Sequence, residues 1–341
     1  MKSSWRATCI QIQSDGVATS ATREAAWPVI AGNIERAVVA IRQARAGPNP
    51  PQLVVLPEFA FTGAPLGQDI PTWISKACYA IPGAVTAPLQ ALAKSEGIYI
   101  GGNLFESDQR WPGRYFNSCF LIAPSGEIVL RFRRINTATF PSPHDFMQDY
   151  VGEYGWDGTF PVVDTELGRI GMIACGEIAV PEVSRALMMQ GAEIILHPTN
   201  EPSSPAQDAA KIARAAENMV YVISANVAGG IGFSADGSEL GGHSRIIDYR
   251  GNTIALDETT TESIDASTVI DLAALRAARR DPGMANALLR TRWDMYRSLY
   301  ENIAVYPANQ FLETPMSNAR ELAPVLEVAL ANLAKAGIAP A

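Results

Sequence analysis

Residues 168–200 read GRIGMIACGEIAVPEVSRALMMQGAEIILHPTN, and the fold class follows from their pattern. Residues 170–174 form a short apolar run, the mark of a buried strand, and Pro181 opens a helical pattern, because proline fits a helix's first turn. A second apolar run, 193–197, follows at once. Cys175 sits at the turn between the first strand and the helix. A side chain at such a turn is strained and exposed, and the backbone N–H groups beside it can receive a developing oxyanion. A thiol used there needs a base to become thiolate and a donor for the oxyanion.

Outward from this segment the same alternation continues. Further strands are expected at 7–13, 52–56, 98–101, 117–123, 127–131, 220–226, 243–249 and 252–256, and further helices at 28–45, 85–96 and 205–218. Pro28 and Pro205 would open two of these helices. Ser125-Gly126 and Arg250-Gly251 lie between neighbouring strands, as hairpin turns do. Hairpins interrupting a strand–helix alternation indicate a layered α/β protein with mixed sheets, not a pure parallel doubly wound sheet. Residues 136–150 (NTATFPSPHDFMQDY) carry two prolines and no clear period, and read as a loop or lid. Beyond Asp271 the chain becomes helical and rich in Ala, Leu and Arg, with a break at Tyr306-Pro307. Its apolar stripes predict an arm that packs on the body or on another subunit.

Composition narrows the function. The chain has 341 residues, is 48% hydrophobic and 18% charged, and carries a net charge of -8. This is the balance of a globular protein with a large core. The acidic balance and the absence of a Lys/Arg cluster argue against nucleic acid as the partner. No apolar run approaches the ~20 residues of a membrane helix, and the opening MKSSWRATCIQIQ lacks a signal-like core. Cys9, Cys78, Cys119 and Cys175 are too dispersed for a disulfide framework or a zinc ribbon, which points to the cytoplasm. His144, His197 and His243 are too scattered to propose a metal site. Cys9 and Cys119 read as small core residues on strands, and Cys78 as inert.

Glu58 ends the stretch LVVLPEFAFTG, directly after an apolar strand. Burial there raises a carboxylate's pKa toward neutrality, as a general base requires. At this point the residues resemble a family. LVVLPEFAFTG and GMIACGEIAVPE are similar to the glutamate and cysteine motifs of the nitrilase superfamily of carbon–nitrogen hydrolases. RAAENMVYVISAN (214–226), GGHSRIIDYRG (241–251), GAEIILHPTN (191–200) and the opening ATCIQIQ also resemble that family's segments, in order, over about residues 6–275.

The resemblance implies a four-layer α-β-β-α sandwich in residues 1–275, followed by a helical C-terminal extension in 276–341. It implies a Glu-Lys-Cys triad with a second supporting glutamate, no cofactor or metal, a small-molecule substrate and a homodimer or higher homo-oligomer. Glu58 matches the base, Cys175 the nucleophile and Glu153 the second glutamate. The lysine's position falls on Arg134, after Arg133, in EIVLRFRRIN. None of the five lysines lies between Lys94 and Lys211. Arginine supplies positive charge and a multidonor fork, yet with a pKa above ~12 it does not give up a proton. Glu58 would then carry every proton.

Around this core, Gly176 removes a bulky wall beside the nucleophile. Glu177 either orients a pocket group or caps the helix. His197 either contacts substrate or satisfies backbone groups. His144, with Asp145, lies either on an exposed loop or on a lid over the pocket. The expected activity is hydrolysis of a small carboxamide through a thioester on Cys175. The alternatives are an N-carbamoyl-compound hydrolase, a nitrilase, or an inactive binding protein that keeps the sandwich alone.

Overall fold

A computed structural model describes residues 2–137, 139–232 and 239–340. The strands form two six-stranded sheets. The first contains β1 (Ser4–Cys9), β2 (Leu53–Val55), β3 (Tyr99–Glu106), β4 (Phe116–Ile122) and β5 (Ile128–Arg133). The second contains β6 (Val163–Thr165), β7 (Gly168–Met172), β8 (Ile194–Thr199), β9 (Tyr221–Asn226), β10 (Arg245–Ile247) and β11 (Thr253–Leu256). The chain then returns to the first sheet as β12 (Ser267–Asp271), giving the orders β12-β1-β2-β3-β4-β5 and β11-β10-β9-β8-β7-β6. The inner trios β1-β2-β3 and β7-β8-β9 are parallel, and the outer strands are antiparallel.

The two sheets pack face to face. Leu53 and Val55 join Ile170, Met172, Ile194 and Leu196 in the core between them. Val54 and Leu56, one residue out of phase, face the other way, onto helices α1 (Arg23–Ala46) and, further along the chain, α2 (Ile70–Ala77) and α3 (Thr86–Glu96). Strands buried on both faces read as unbroken apolar runs for this reason. After α4 (Met147–Thr159), helices α5 (Pro181–Met189) and α6 (Pro205–Asn218) cover the second sheet, and α7 (Leu272–Arg280) follows β12. The layers are α-β-β-α, as expected. Among the described residues no helix is long and apolar enough to cross a membrane.

Three local expectations change. Helix α1 begins at Arg23, where the Thr22 side chain accepts from Ala25 N, so Pro28 lies inside the helix instead of opening it. Strands β6 and β12 escape notice in the sequence because both are largely uncovered, with no apolar run to betray them. Residues 136–150 are not all loop. Ser142 and Asp145 cap each other's backbone around a 3-10 turn, Pro143–Phe146, which leads into α4.

The tail packs back on the body. Asn309 N and Phe311 N donate to the carbonyls of His144 and Asp145, at 3.1 and 2.9 Å. Arg114 donates to the Phe311 and Leu312 carbonyls. Met316 and Leu322, each 3% exposed, enter the apolar cluster that holds Ile70, Trp73 and Phe105. Truncating Leu322 to Ala should therefore cost about 2–5 kcal/mol, the usual range for a buried leucine. The shift of the urea midpoint at constant slope measures it, and a loss below about 0.5 kcal/mol would show that the tail does not share the core.

Candidate active site

The carboxyl ends of β2, β7 and β8 meet where the two sheets face each other, the place where parallel α/β sheets carry their ligands. Glu58 lies just beyond β2 and is fully buried. Its N–H donates to the Thr199 carbonyl at the end of β8, which ties one sheet to the other. Asn117 Nδ2 donates to Glu58 Oε1 at 2.7 Å, and Asn103 Nδ2 donates in turn to Asn117 Oδ1 at 2.6 Å. Two strand asparagines thus orient the carboxylate. Burial lifts its pKa to about 7, against the opposing pull of Arg134 and of the Asn117 hydrogen bond.

Arg133 and Arg134 are consecutive, so strand pleating sends them apart. Arg133 is buried among Glu106 and Asp108 and lies 4.1 Å over the Phe116 ring. Arg134 turns to the other side, where Nη1 stands 3.6 Å from Glu58 Oε1 and Nε donates to the Asn136 carbonyl. Burial works against its charge, but Glu58, Cys175 and Glu177 outweigh that and raise its pKa. A Cβ placed on Gly176 would stand 3.5 Å from Arg134 Nη2, in ordinary contact with the guanidinium.

Cys175 has φ +43°, in the left-handed region that few non-glycine residues adopt. Strain of this kind at a strand-to-helix turn aims a nucleophile. His197 Nε2 bonds the Cys175 carbonyl at 2.8 Å, while Nδ1 meets Ser224 Oγ at 2.9 Å. Burial holds this imidazole down at about 4, hence neutral. His197 therefore clamps the strained backbone, which is the second of the two roles left open for it. The thiol donates to the Asn200 carbonyl at 3.7 Å. Its pKa is pushed well up, first by burial and then by Glu58 and Glu201, with Arg134 opposing. At rest the sulfur keeps its proton.

Glu177 is an orienting residue. Its Oε1 accepts from Ile135 N, Asn136 N and Asn136 Nδ2 at 2.8–3.0 Å, so the cysteine turn grips the segment that presents Arg134. His144 is partly buried against Tyr306 and lines a 230 Å³ cavity with Asn136, Phe140 and Asp145. Two of those residues touch Arg134: Asn136 accepts from it, and the Phe140 ring lies 5.9 Å from its guanidinium carbon.

Glu153 departs from expectation. It lies on α4 with its side chain 48% exposed, paired to Arg110 at 3.1 Å, and not among the buried groups around Cys175. Because 147–159 is helical, its carboxylate is carried to the surface. Sequence reading missed Asn103, Asn117, Asn200, Glu201 and Lys211. Polar residues inside the apolar strands YIGGNLFE and FNSCFLI were the available signal for the asparagines.

Comparison with known proteins gives the family. The carbon-nitrogen hydrolase family model matches residues 6–280. This chain belongs to the carbon–nitrogen hydrolase family. It is 29% identical over 257 residues to an omega-amidase, NIT2-A, of Xenopus laevis, covering 74% of this chain and 87% of that one. It is 33% identical over 173 residues to an (R)-stereoselective amidase of Pseudomonas sp., covering 50% and 57% respectively. Among solved structures, the fold is similar to that of a mutant amidase from Nesterenkonia sp. AN1, which carries the acetamide moiety of fluoroacetamide on its active-site cysteine. That match has a TM-score of 0.63 and 18% identity, covering 86% of this chain and 97% of the other.

A base at about 7 and a protonated thiol make a pH prediction for this carbon–nitrogen hydrolase. Only ionised Glu58 can take the proton, so iodoacetamide labelling of Cys175 should rise with pH through a midpoint near 7. Asn117→Leu removes a hydrogen bond that favours the ionised form, and should move that midpoint upward. Intact-mass labelling rates between pH 5 and 9.5 measure both, and a wild-type rate that is flat across neutrality would contradict the assignment.

Proposed function

We propose that this carbon–nitrogen hydrolase is an amidase that cleaves a small carboxamide through a thioester on Cys175, with Glu58 as the proton carrier and Arg134 as the fixed cation. The observation that carries this reading is the cluster itself: a nucleophile held at φ +43° beside a fully buried carboxyl whose pKa lies near neutrality, with a guanidinium 3.6 Å from that carboxyl. The amidase names among its relatives support the choice of substrate class.

Substrate places its carbonyl carbon against Sγ. Glu58 takes the thiol proton as the C–S bond forms, so thiolate never accumulates in the free enzyme. The carbonyl oxygen gains the charge, and Arg134 with the Gly176 N–H holds it. Glu58 returns its proton to the nitrogen, the C–N bond breaks, and ammonia or amine leaves the thioester behind. Water then gives a proton to Glu58 and attacks the thioester carbon. The C–S bond breaks, the acid departs, and the proton goes back to sulfur. Arg134 takes no part in proton transfer, because a guanidinium keeps its protons across this pH range.

An inactive binding protein has no use for a strained cysteine facing a buried carboxylate, since both cost stability without helping to bind a ligand. A nitrile or an N-carbamoyl compound would use the same groups, and no further residue favours either.

The test is ammonia release from a panel of small primary amides. Cys175→Ala should abolish it, and Glu58→Gln should lower kcat by about 10²–10⁴, the usual contribution of a positioned acid–base group. Arg134→Lys keeps the charge and should stay within about tenfold of wild type. Arg134→Met should lose about 10²–10³, as removing one oxyanion donor does. Acid quenching during turnover should trap the acyl group on Cys175 by mass. Full activity in Cys175→Ala would end this reading.

A further inference from the structure

The residues just past β8 carry a feature that the hydrolytic steps do not use. Asn200 and Glu201 are buried, 6% and 5% exposed, and follow directly on Thr199, whose carbonyl receives the Glu58 N–H. The Asn200 backbone carbonyl accepts from the Cys175 thiol, which places this turn against the sulfur. Asn200 spends its Nδ2 on the Ile231 carbonyl, leaving Oδ1 buried without a partner. Glu201 Oε2 is likewise buried and receives no hydrogen bond. Its other oxygen faces Lys211 Nζ at 2.5 Å, and Lys211 also faces Asp208, which pairs with Arg245. The backbone of Glu201 is fixed too: its N–H donates to Asn226 Oδ1, and its carbonyl accepts from Asn226 Nδ2.

A buried acceptor without a donor is costly, and native interiors rarely leave one without a reason. Here such atoms fall on three consecutive residues, Thr199 Oγ1, Asn200 Oδ1 and Glu201 Oε2, in the turn whose backbone touches the Cys175 thiol. The Glu201 charge is near enough to act on both Cys175 and Glu58. The nearby cations are already engaged, Arg134 with Glu58, Lys211 with Glu201 and Asp208, and Arg245 with Asp208. Acceptors left over in this way welcome N–H donors and positive charge, and repel a carboxylate.

We propose that Glu201, braced by Lys211, is a specificity-determining residue that selects substrates carrying an ammonium or similar N–H-rich cation close to the scissile carboxamide, and that it discriminates against substrates carrying a carboxylate there. Asn200 Oδ1 supplies a second acceptor to the same group. This rests on the amidase reading for the scissile bond, but the discrimination is a property of the space around Cys175 and can be measured without hydrolysis.

The test uses the full chain and three methanethiosulfonate reagents, the cationic aminoethyl, the neutral methyl and the anionic sulfonatoethyl. Modification of Cys175 is followed by intact mass, and each rate is divided by that of a small free thiol. In the wild type the cationic reagent should outpace the anionic one by about tenfold or more, as a near, poorly screened charge produces. Glu201→Gln, which keeps the shape and removes the charge, should shrink that ratio at least threefold, while the exposed-site control Glu127→Gln leaves it within threefold. A wild-type ratio of one or less overturns the proposal. So does a ratio that Glu201→Gln leaves within threefold. Should Glu201→Gln fail to fold, protection of wild-type Cys175 from the methyl reagent decides instead. β-Alaninamide, butyramide and succinamate differ only in the group at the far end, and β-alaninamide should protect at the lowest concentration; equal protection, or better protection by succinamate, overturns the proposal. Absence of hydrolysis for all three amides would count against the amidase reading alone and leave these ratios to judge Glu201.

Discussion

Burying one carboxylate between two sheets is the constraint on which the rest of this site depends. Glu58 lies where solvent cannot reach it, and an isolated charge there would cost several kcal/mol. The protein answers from several directions. Asn117 donates to it from β4, Asn103 fixes Asn117 from β3, and Arg134 brings a countercharge from the end of β5. The compensation is incomplete. Burial outweighs the partners and leaves the group near neutrality, where it can both accept and return a proton.

The cysteine side of the site is governed by backbone geometry. A left-handed Cys175 persists only if its surroundings hold it, and His197 does so by bonding its carbonyl while Ser224 steadies the ring. Glu177, two residues on, takes three N–H groups from residues 135 and 136. The turn that carries the nucleophile therefore also sets the position of the cation. Changing Glu177 or His197 would act through Arg134 or Cys175, which makes both positioning residues.

The electrostatics also bear on the proposed use of the thiol. A cysteine beside a guanidinium is a natural candidate for a standing thiolate. Here burial and two carboxylates raise the thiol's pKa, and one arginine does not offset them. In the proposed reaction, proton removal is therefore coupled to attack. An arginine, unable to exchange a proton, is well suited to that division of labour, since charge and proton transfer sit on different residues.

Much of this was legible in the linear chain. Apolar runs, Pro-led helices and a cysteine at a strand–helix junction determine the layered α/β class by local rules: strand period, helix-start chemistry and turn residues. Cys175 and Glu58 were legible because one closes and the other follows a recognisable strand, whereas the cationic position at Arg134 came from the resemblance of EIVLRFRRIN to the family's lysine segment. The sequence alone could not place Glu153, because the same EYGWDG segment is compatible with a loop at the site or with a helix that carries its carboxylate to the surface; tertiary packing chose the helix and an exposed partnership with Arg110. Nor could it bring the Asn103–Asn117 pair of the first sheet to the Glu201–Lys211 pair beside the second, roughly a hundred residues further along, because the two pairs come together only when the sheets stack. What the chain determines by itself is which residue types end each strand; which of them share one buried, poorly solvated space is decided by the stacking of the sheets, since only that packing removes the water that would otherwise keep their charges independent.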